Sequence, residues 1–342
     1  MNTLLPPISG YGICAIGTYI PEARIGCANR AEQLKVSFDT LASRIGFDTL
    51  AVKSANQTTS DMACLAVENL LEKYPVDPNE IGCLIVVTQN PDGRGIPQVS
   101  AIVHGRLRWP RSMAAFDISL GCSGYVYALD LLACFLRSQG ARYGVLVTAD
   151  PYSKIVNADD RDTALLFGDA ATATLVAAEG AWKIGASNFG TSGDYADSLR
   201  VDEHGHLRML GKEVSRCCIR EVPRSITRAL EINDLVIEDV DLILLHQGSK
   251  FIVESIGSAL GAADRTPFYA QKVGNTCCSS IPLGLARLLD EGGVSETLVL
   301  SSFGVGLSWG STVIRLSPEL IRSASAIARN PYKSAESPVP SC

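Results

Sequence analysis

The run Phe116-Asp117-Ile118-Ser119-Leu120-Gly121-Cys122-Ser123-Gly124-Tyr125-Val126 brings an apolar, strand-like approach to a cysteine flanked by glycines, and a helical apolar pattern starts directly behind it. A bend of this kind pushes one side chain into a cleft and leaves room beside it for a substrate. The helix N-terminus behind the bend favours a thiolate, so a nucleophilic thiol is expected at Cys122. A buried cysteine ahead of a core helix is the other reading of this segment taken alone. Two later segments add groups suited to thiol chemistry. Leu242-Ile243-Leu244-Leu245-His246-Gln247-Gly248 is an apolar strand ending on a histidine, and Val273-Gly274-Asn275-Thr276-Cys277-Cys278 sets an asparagine in a glycine turn ahead of another helix. Cys122, His246 and Asn275 each close an element, a set that suits a thiol nucleophile with neutral hydrogen-bond donors nearby. Spacing alone leaves open whether they meet in space.

The elements that would position them come in two copies. Glu80–Asn90 resembles Asp239–Ser249, Leu120–Leu132 resembles the stretch from Thr276 to Leu288, and the strand at Tyr143–Thr148 resembles Thr297–Ser302; His246 against Thr88, Cys278 against Cys122 and Thr297 against Gly144 give offsets of 158, 156 and 153 residues. Near-constant offsets predict two halves of like topology rather than a short-period solenoid. Strands of four to seven continuous apolar residues alternate with helical patterns, as in α/β layers with both sheet faces covered. Helices are predicted over Asp61–Tyr74 and Glu221–Glu231, and a loop over Glu203–Gly211. The halves are read as 1–178 and 179–322, with a boundary near Ala178–Gly180. A Ser-, Ala- and Pro-rich tail over 323–342 is expected to be poorly ordered.

The chain has 342 residues, 46% of them hydrophobic, enough for one large or two ordinary cores. Its net charge of −6 argues against nucleic acid as a general partner. No run of about 18 apolar residues suggests a membrane span, and the first ten residues lack signal-peptide character, so a cytoplasmic protein is expected. Eleven cysteines at irregular spacing suit reduced, buried thiols. None pairs with zinc-ligand spacing, so no metal is expected. His204 and His206 read as exposed, and His104, inside the helical pattern Val99–Leu107, as structural.

Taken together, the cysteine bend, the strand-borne His-Gln, the Gly-Asn-Thr turn and the closing Phe303-Gly304-Val305-Gly306-Leu307-Ser308-Trp309-Gly310-Ser311 resemble the β-ketoacyl-acyl carrier protein synthase III family of thiolase-like condensing enzymes. Asp160-Arg161-Asp162-Thr163 and Leu166-Phe167-Gly168-Asp169 extend the likeness, which runs from about Gly10 to Arg315. The resemblance implies a five-layered αβαβα fold and a homodimer without a resident cofactor, acting on acyl-coenzyme A or acyl carrier protein thioesters. Cys122 is then the acyl-accepting nucleophile, and His246 and Asn275 stabilise a malonyl-derived enolate. The backbone of Cys122 with that of Val305 and Gly306 forms the oxyanion hole. A thiolase-fold acyltransferase making an ester or amide from acyl-Cys122 is the alternative.

Departures from the family pattern bear on substrate choice. Val305 replaces the middle glycine of the last turn. Arg44 and Arg161 match coenzyme A-binding arginines, whereas Thr40 lies where a tryptophan commonly stacks on adenine. Ser249 takes the place of a pantetheine-binding asparagine. Ile96 corresponds to the phenylalanine that relatives insert across the dimer to gate the acyl pocket. Lys212, Arg216 and Lys250 are candidates for docking an acidic carrier protein.

Overall fold

The computed structural model describes residues 10–290 and 295–317. Strand β1 (Gly12–Tyr19) is followed by a small side pair, β2 (Arg24–Gly26) and β3 (Thr49–Ala51), and then by β4 (Ile81–Val87), β5 (Ala114–Ile118), β6 (Tyr143–Ala149) and β7 (Ala171–Ala177). The second half supplies β8 (Trp182–Thr191), a hairpin of β9 (Leu199–Val201) and β10 (Leu207–Met209), and then β11 (Leu242–Leu245), β12 (Thr297–Gly304) and β13 (Ser308–Leu316). Between them run α1 (Cys27–Gln33), α2 (Phe38–Thr40, continuing into a π turn over Leu41–Ile45), α3 (Thr59–Lys73), α4 (Val99–Arg106), α5 (Gly124–Gln139), α6 (Gly211–Ile232), α7 (Lys250–Ala259) and α8 (Ser280–Asp290).

The main strands lie in the order β11-β12-β13-β8-β1-β7-β6-β4-β5. Strands of the first half follow one another as β1-β7-β6-β4-β5, and those of the second as β8-β13-β12-β11. The second order repeats the first, short of its outermost strand. Among the described strands, the two sets join where Gly12 and Ile13 of β1 pair with Lys183 and Trp182 of β8.

Burial explains the layering. In α5, Tyr125, Val126, Leu129, Leu132 and Leu136 have no exposed surface. They cluster with Ile281 and Leu285 of α8, with Ile13 of β1, and with Leu244, Leu298 and Ile314 of the second half. A helix apolar on more than one face must be covered on both. Accordingly α5 packs on β4 and β6 and also on β12 and β13, while α8 touches β1 and β7 as well as β11 and β12. Each of these large side chains contributes about 1.5–3 kcal/mol through burial. On the outer faces α3 and α4 cover the first set of strands and α6, packed on α7, covers the second. The sequence of layers is αβαβα, as the resemblance implied.

Local chemistry sets the helix starts. Thr58 Oγ1 accepts from Asp61 N–H at 3.1 Å and Asp61 Oδ2 accepts from Thr58 N–H at 2.7 Å, a reciprocal cap that starts α3. Asp117, inside β5, accepts from the N–H groups of Val99 and Ser100 at 2.7 and 2.8 Å and so ties α4 to the strand that leads to Cys122. His104 bonds the Pro110 carbonyl at 3.0 Å, a structural role.

Two expectations need correction. The second-half helix starts at Gly211 rather than Glu221, with Pro223 inside it. Val214, Cys217 and Cys218 are buried at helical spacing against the same cluster as Val222 and Ile226, which holds the additional turns in place. The segment read as a loop over Glu203–Gly211 contains β10, which pairs back on β9, and Leu207 is buried. The tail over 323–342 lies outside the described residues.

Candidate active site

Cys122 sits at the turn between β5 and α5 and is 4% exposed. His246 follows β11, and Asn275 lies on the approach to α8; both are buried. All three line one cavity of about 580 Å3, together with Arg44, Arg161, Ser249, Lys212 and Arg216. The three side chains come from two halves of the chain and face one space, which spacing had left open.

Each group is oriented by a neighbour. His246 Nδ1 pairs with Ser280 Oγ at 2.8 Å, and the ring stands edge-on to Phe303 with centroids 5.4 Å apart. With Nδ1 engaged, Nε2 is the nitrogen left for the cavity. Asn275 Oδ1 accepts from Cys277 N–H at 2.9 Å, which leaves the amide NH2 as its donor end. The Asn275 backbone is clamped to the first half: its N–H donates to Leu166 O at 2.8 Å, and its carbonyl accepts from Gly168 N–H at 2.9 Å.

The final glycine turn meets Cys122 directly. A Cβ on Gly304 would lie 2.4 Å from Cys122 Cβ and 3.1 Å from its sulfur, so only hydrogen fits there. Gly306 has φ +135°, a conformation side chains disfavour, whereas Val305 is not among the described non-glycine residues with positive φ. The valine therefore sits in the turn without left-handed strain. Ser308 Oγ donates to Val305 O at 3.0 Å and pairs with Ser123 Oγ at 2.7 Å, while Ser302 Oγ donates to Ser123 O at 2.7 Å. These serines lock the turn to the residue after Cys122. Gly304 lines the cavity, whereas Val305 and Gly306 are not among its lining residues.

Sulfur electrostatics differ from expectation. The Cys277 thiol, whose Sγ is 3.5 Å from Cys122 Sγ, and then burial hold the Cys122 thiol well above its ordinary pKa, while His246 acts in the opposite sense. The neighbouring thiol and the enclosure of the sulfur thus oppose the thiolate that the helix N-terminus is expected to favour.

At the cavity mouth the Arg44 guanidinium lies over the Phe251 ring at 5.7 Å. Exposed Arg161 and, on α6, Lys212 and Arg216 complete a basic rim. Ser249 lines the cavity, but its hydroxyl accepts from Ile252 N–H at 3.4 Å and caps α7. Lys250 does not join this rim: it lines a separate groove with Phe38 and Phe268 and lies 3.8 Å from Glu254. Ile96 is also outside the cavity and is 91% exposed. Asp150, Cys277 and Cys278 place donor atoms within 4.8 Å of one another, a buried cluster that sequence spacing hid because Asp150 is far away in the chain. Sequence reading also missed Ser280, Ser308 and Phe303 as orienting groups; Phe303 and Ser308 lie in the closing glycine motif with nothing to mark their partners.

A duplicated αβαβα body with a cysteine facing a histidine and an asparagine is the architecture of thiolase-like acyl-transferring enzymes. Residues 116–193 match the family described as 3-oxoacyl-[acyl-carrier-protein (ACP)] synthase III, and residues 230–316 match its C-terminal part. The β-ketoacyl-[acyl-carrier-protein] synthase III of Streptococcus sanguinis (strain SK36) is 30% identical over 322 residues, covering 89% of this chain and 98% of its own. The enzyme of the same name from Listeria welshimeri is 31% identical over 311 residues, covering 89% and 98%. The solved structure of β-ketoacyl-[acyl carrier protein] synthase III from Thermus thermophilus superposes with a TM-score of 0.83 at 31% identity, covering 90% of this chain and 99% of that one. The chain belongs to the 3-oxoacyl-[acyl-carrier-protein] synthase III family of acyltransferases.

Proposed function

We propose that the protein transfers an acyl group from a thioester to Cys122 and then condenses it with a malonyl thioester to give a 3-ketoacyl thioester and carbon dioxide. The observation that carries this reading is the convergence of Cys122, His246 and Asn275 on one cavity. Cys122 gives up its proton as its sulfur attacks the acyl carbon; the tetrahedral intermediate collapses and the donor thiol departs with a proton. The new thioester keeps the acyl carbon electrophilic for the second step. In that step the malonyl C–CO2 bond breaks and its electrons flow onto the thioester oxygen, where His246 Nε2 and the Asn275 amide donate hydrogen bonds as charge develops. The carbanion attacks the acyl carbon, and the Cys122 sulfur leaves. The oxyanion of both tetrahedral stages is assigned to the backbone N–H of Cys122 and that of Val305 or Gly306.

The basic rim of Arg44, Arg161, Lys212 and Arg216 suits the phosphates of coenzyme A and the phosphopantetheine of an acidic carrier protein. Lys250, with an acidic neighbour and its own groove, is a weaker docking residue. Thioesters are substrates here, and the reaction needs no resident cofactor. Among the described residues no helix is long and apolar enough to cross a membrane, and we assign the reaction to the cytoplasm. The duplicated halves are assigned to 1–178 and 179–322. Ile96, exposed in the single chain, is assigned to the partner's acyl pocket in a homodimer.

Two neutral donors serve a decarboxylating step, so intact His246 and Asn275 favour condensation over ester or amide formation. Incubation of acyl-loaded protein with a malonyl thioester tests this: release of carbon dioxide with a 3-ketoacyl product is expected. Stable acyl-Cys122 with neither product would overturn the reading.

A further inference from the structure

We propose that Cys277 is a resolving thiol for the nucleophile, so that a hydroperoxide converts Cys122 and Cys277 into a reversible disulfide. Acyl transfer has no use for the Cys277 sulfur, yet that sulfur lies 3.5 Å from Cys122 Sγ and donates to Asp150 Oδ2 at 3.1 Å. A disulfide needs the two sulfurs to close by about 1.5 Å. Asp150 is held by the Gln89 N–H at 3.0 Å and the Asn90 amide at 2.7 Å, which aim its second oxygen at Cys277. Burial, the largest influence on this carboxyl, pushes its pKa up and makes it a better proton acceptor.

Access separates the two thiols. Cys122 lines the cavity and is open to a small oxidant, whereas Cys277 is fully buried and does not line it. Attack therefore falls on Cys122. Its sulfur bonds the terminal peroxide oxygen, the O–O bond breaks, and the thiol proton leaves with the other oxygen, as water from hydrogen peroxide or as an alcohol from an alkyl hydroperoxide, giving a sulfenic acid. Cys277 sulfur then bonds Cys122 sulfur and the S–O bond breaks. The Cys277 proton passes to Asp150 and neutralises the departing hydroxide as water. Two thiols are oxidised, one hydroperoxide is reduced, and any thiol reductant returns both sulfurs by exchange. This chemistry does not depend on the condensation proposed above.

The test is a non-reducing peptide map of the full chain after hydrogen peroxide. Expected is a covalent link between Cys122 and Cys277, placed by fragmentation and cleared by dithiothreitol. Cys278→Ala should retain the link. In both Cys277→Ser and Cys277→Ala, Cys122 should advance to sulfinic and sulfonic acid, and its dithiothreitol-recoverable fraction should fall by roughly tenfold or more, since no thiol remains to intercept the sulfenic acid. Irreversible acids at Cys122 in the native chain, a link to Cys278 or Cys218 instead, or an unmodified Cys122 would each overturn the proposal.

Discussion

His246 and Asn275 are held so that one face of each is engaged by the protein and the other is free. The Ser280 and Cys277 contacts fix those orientations before any substrate arrives, which is the preorganisation that electrostatic stabilisation requires. Replacing either His246 or Asn275 by Ala should slow malonyl decarboxylation by roughly 10²–10³-fold. In His246→Ala, acylation of Cys122 should be spared more than decarboxylation; time-resolved mass spectrometry of the acyl adduct against carbon dioxide release checks this, and equal loss of both would mean a different role. Because neighbour and burial hold the Cys122 thiol above its ordinary value of 9.0, its alkylation by iodoacetamide in the unliganded chain should still be climbing at pH 9. A plateau below pH 7 would instead reveal a standing thiolate. Gly304→Ala places a methyl against Cys122 Cβ; overpacking of about 1–3 kcal/mol is expected, seen as a lower Tm with slower acyl loading.

At the scale of elements, the β9–β10 hairpin hangs on Asp202. Its carboxylate accepts from the N–H groups of His206 and His204, each at 2.9 Å, and from Arg208 Nε at 2.7 Å. The His206 N–H, then Arg208, draws its pKa down from 3.8 to about 2. A depressed carboxylate stabilises the fold above its unfolded pKa and loses that contribution as pH falls through its folded one. Asp202→Asn should therefore lower Tm at neutral pH, and the difference from the native chain should narrow as pH drops from about 4 towards about 2. An equal Tm gap at both ends of that range would remove Asp202 from this role. Since Leu199 and Met209 of the hairpin line the cavity, the same variant should also alter the preferred acyl chain length. The hairpin was illegible in the sequence because two three-residue strands carry too little alternation to register. The start of α6 lies upstream of the expected Glu221, where Val214, Cys217 and Cys218 fall at helical spacing, and Pro223 sits inside the helix rather than in the first turn that favours it.

For the whole molecule, duplication was the most legible property, since long buried strands and the helices behind them leave strong, repeating apolar runs. The convergent set was legible for a related reason: Cys122, His246 and Asn275, proposed above as catalytic, each mark the end or the start of such an element. Contacts between the halves were not legible. Cys122 with Cys277, Ser123 with Ser308, and Asn275 with Gly168 all join distant segments, and no local pattern announces a partner more than a hundred residues away. Because Cys122 on one side and His246 and Asn275 on the other come from opposite halves around the shared α5–α8 layer, Leu129→Ala in that layer should destabilise the entire fold by about 2–5 kcal/mol, in a single denaturant transition. Two separable transitions would show that the halves fold independently. Sedimentation should give about twice the 36.4 kDa chain mass, and Ile96→Phe should shorten the longest primer accepted.

The 3.5 Å gap between the two sulfurs has a consequence for timing. A nucleophile already esterified by its primer has no lone thiol to surrender to peroxide, so a busy enzyme is shielded by its own cargo. An idle one, starved of primer, is the form that folds its reactive atom away against its neighbour, undamaged, until reducing power and feedstock return.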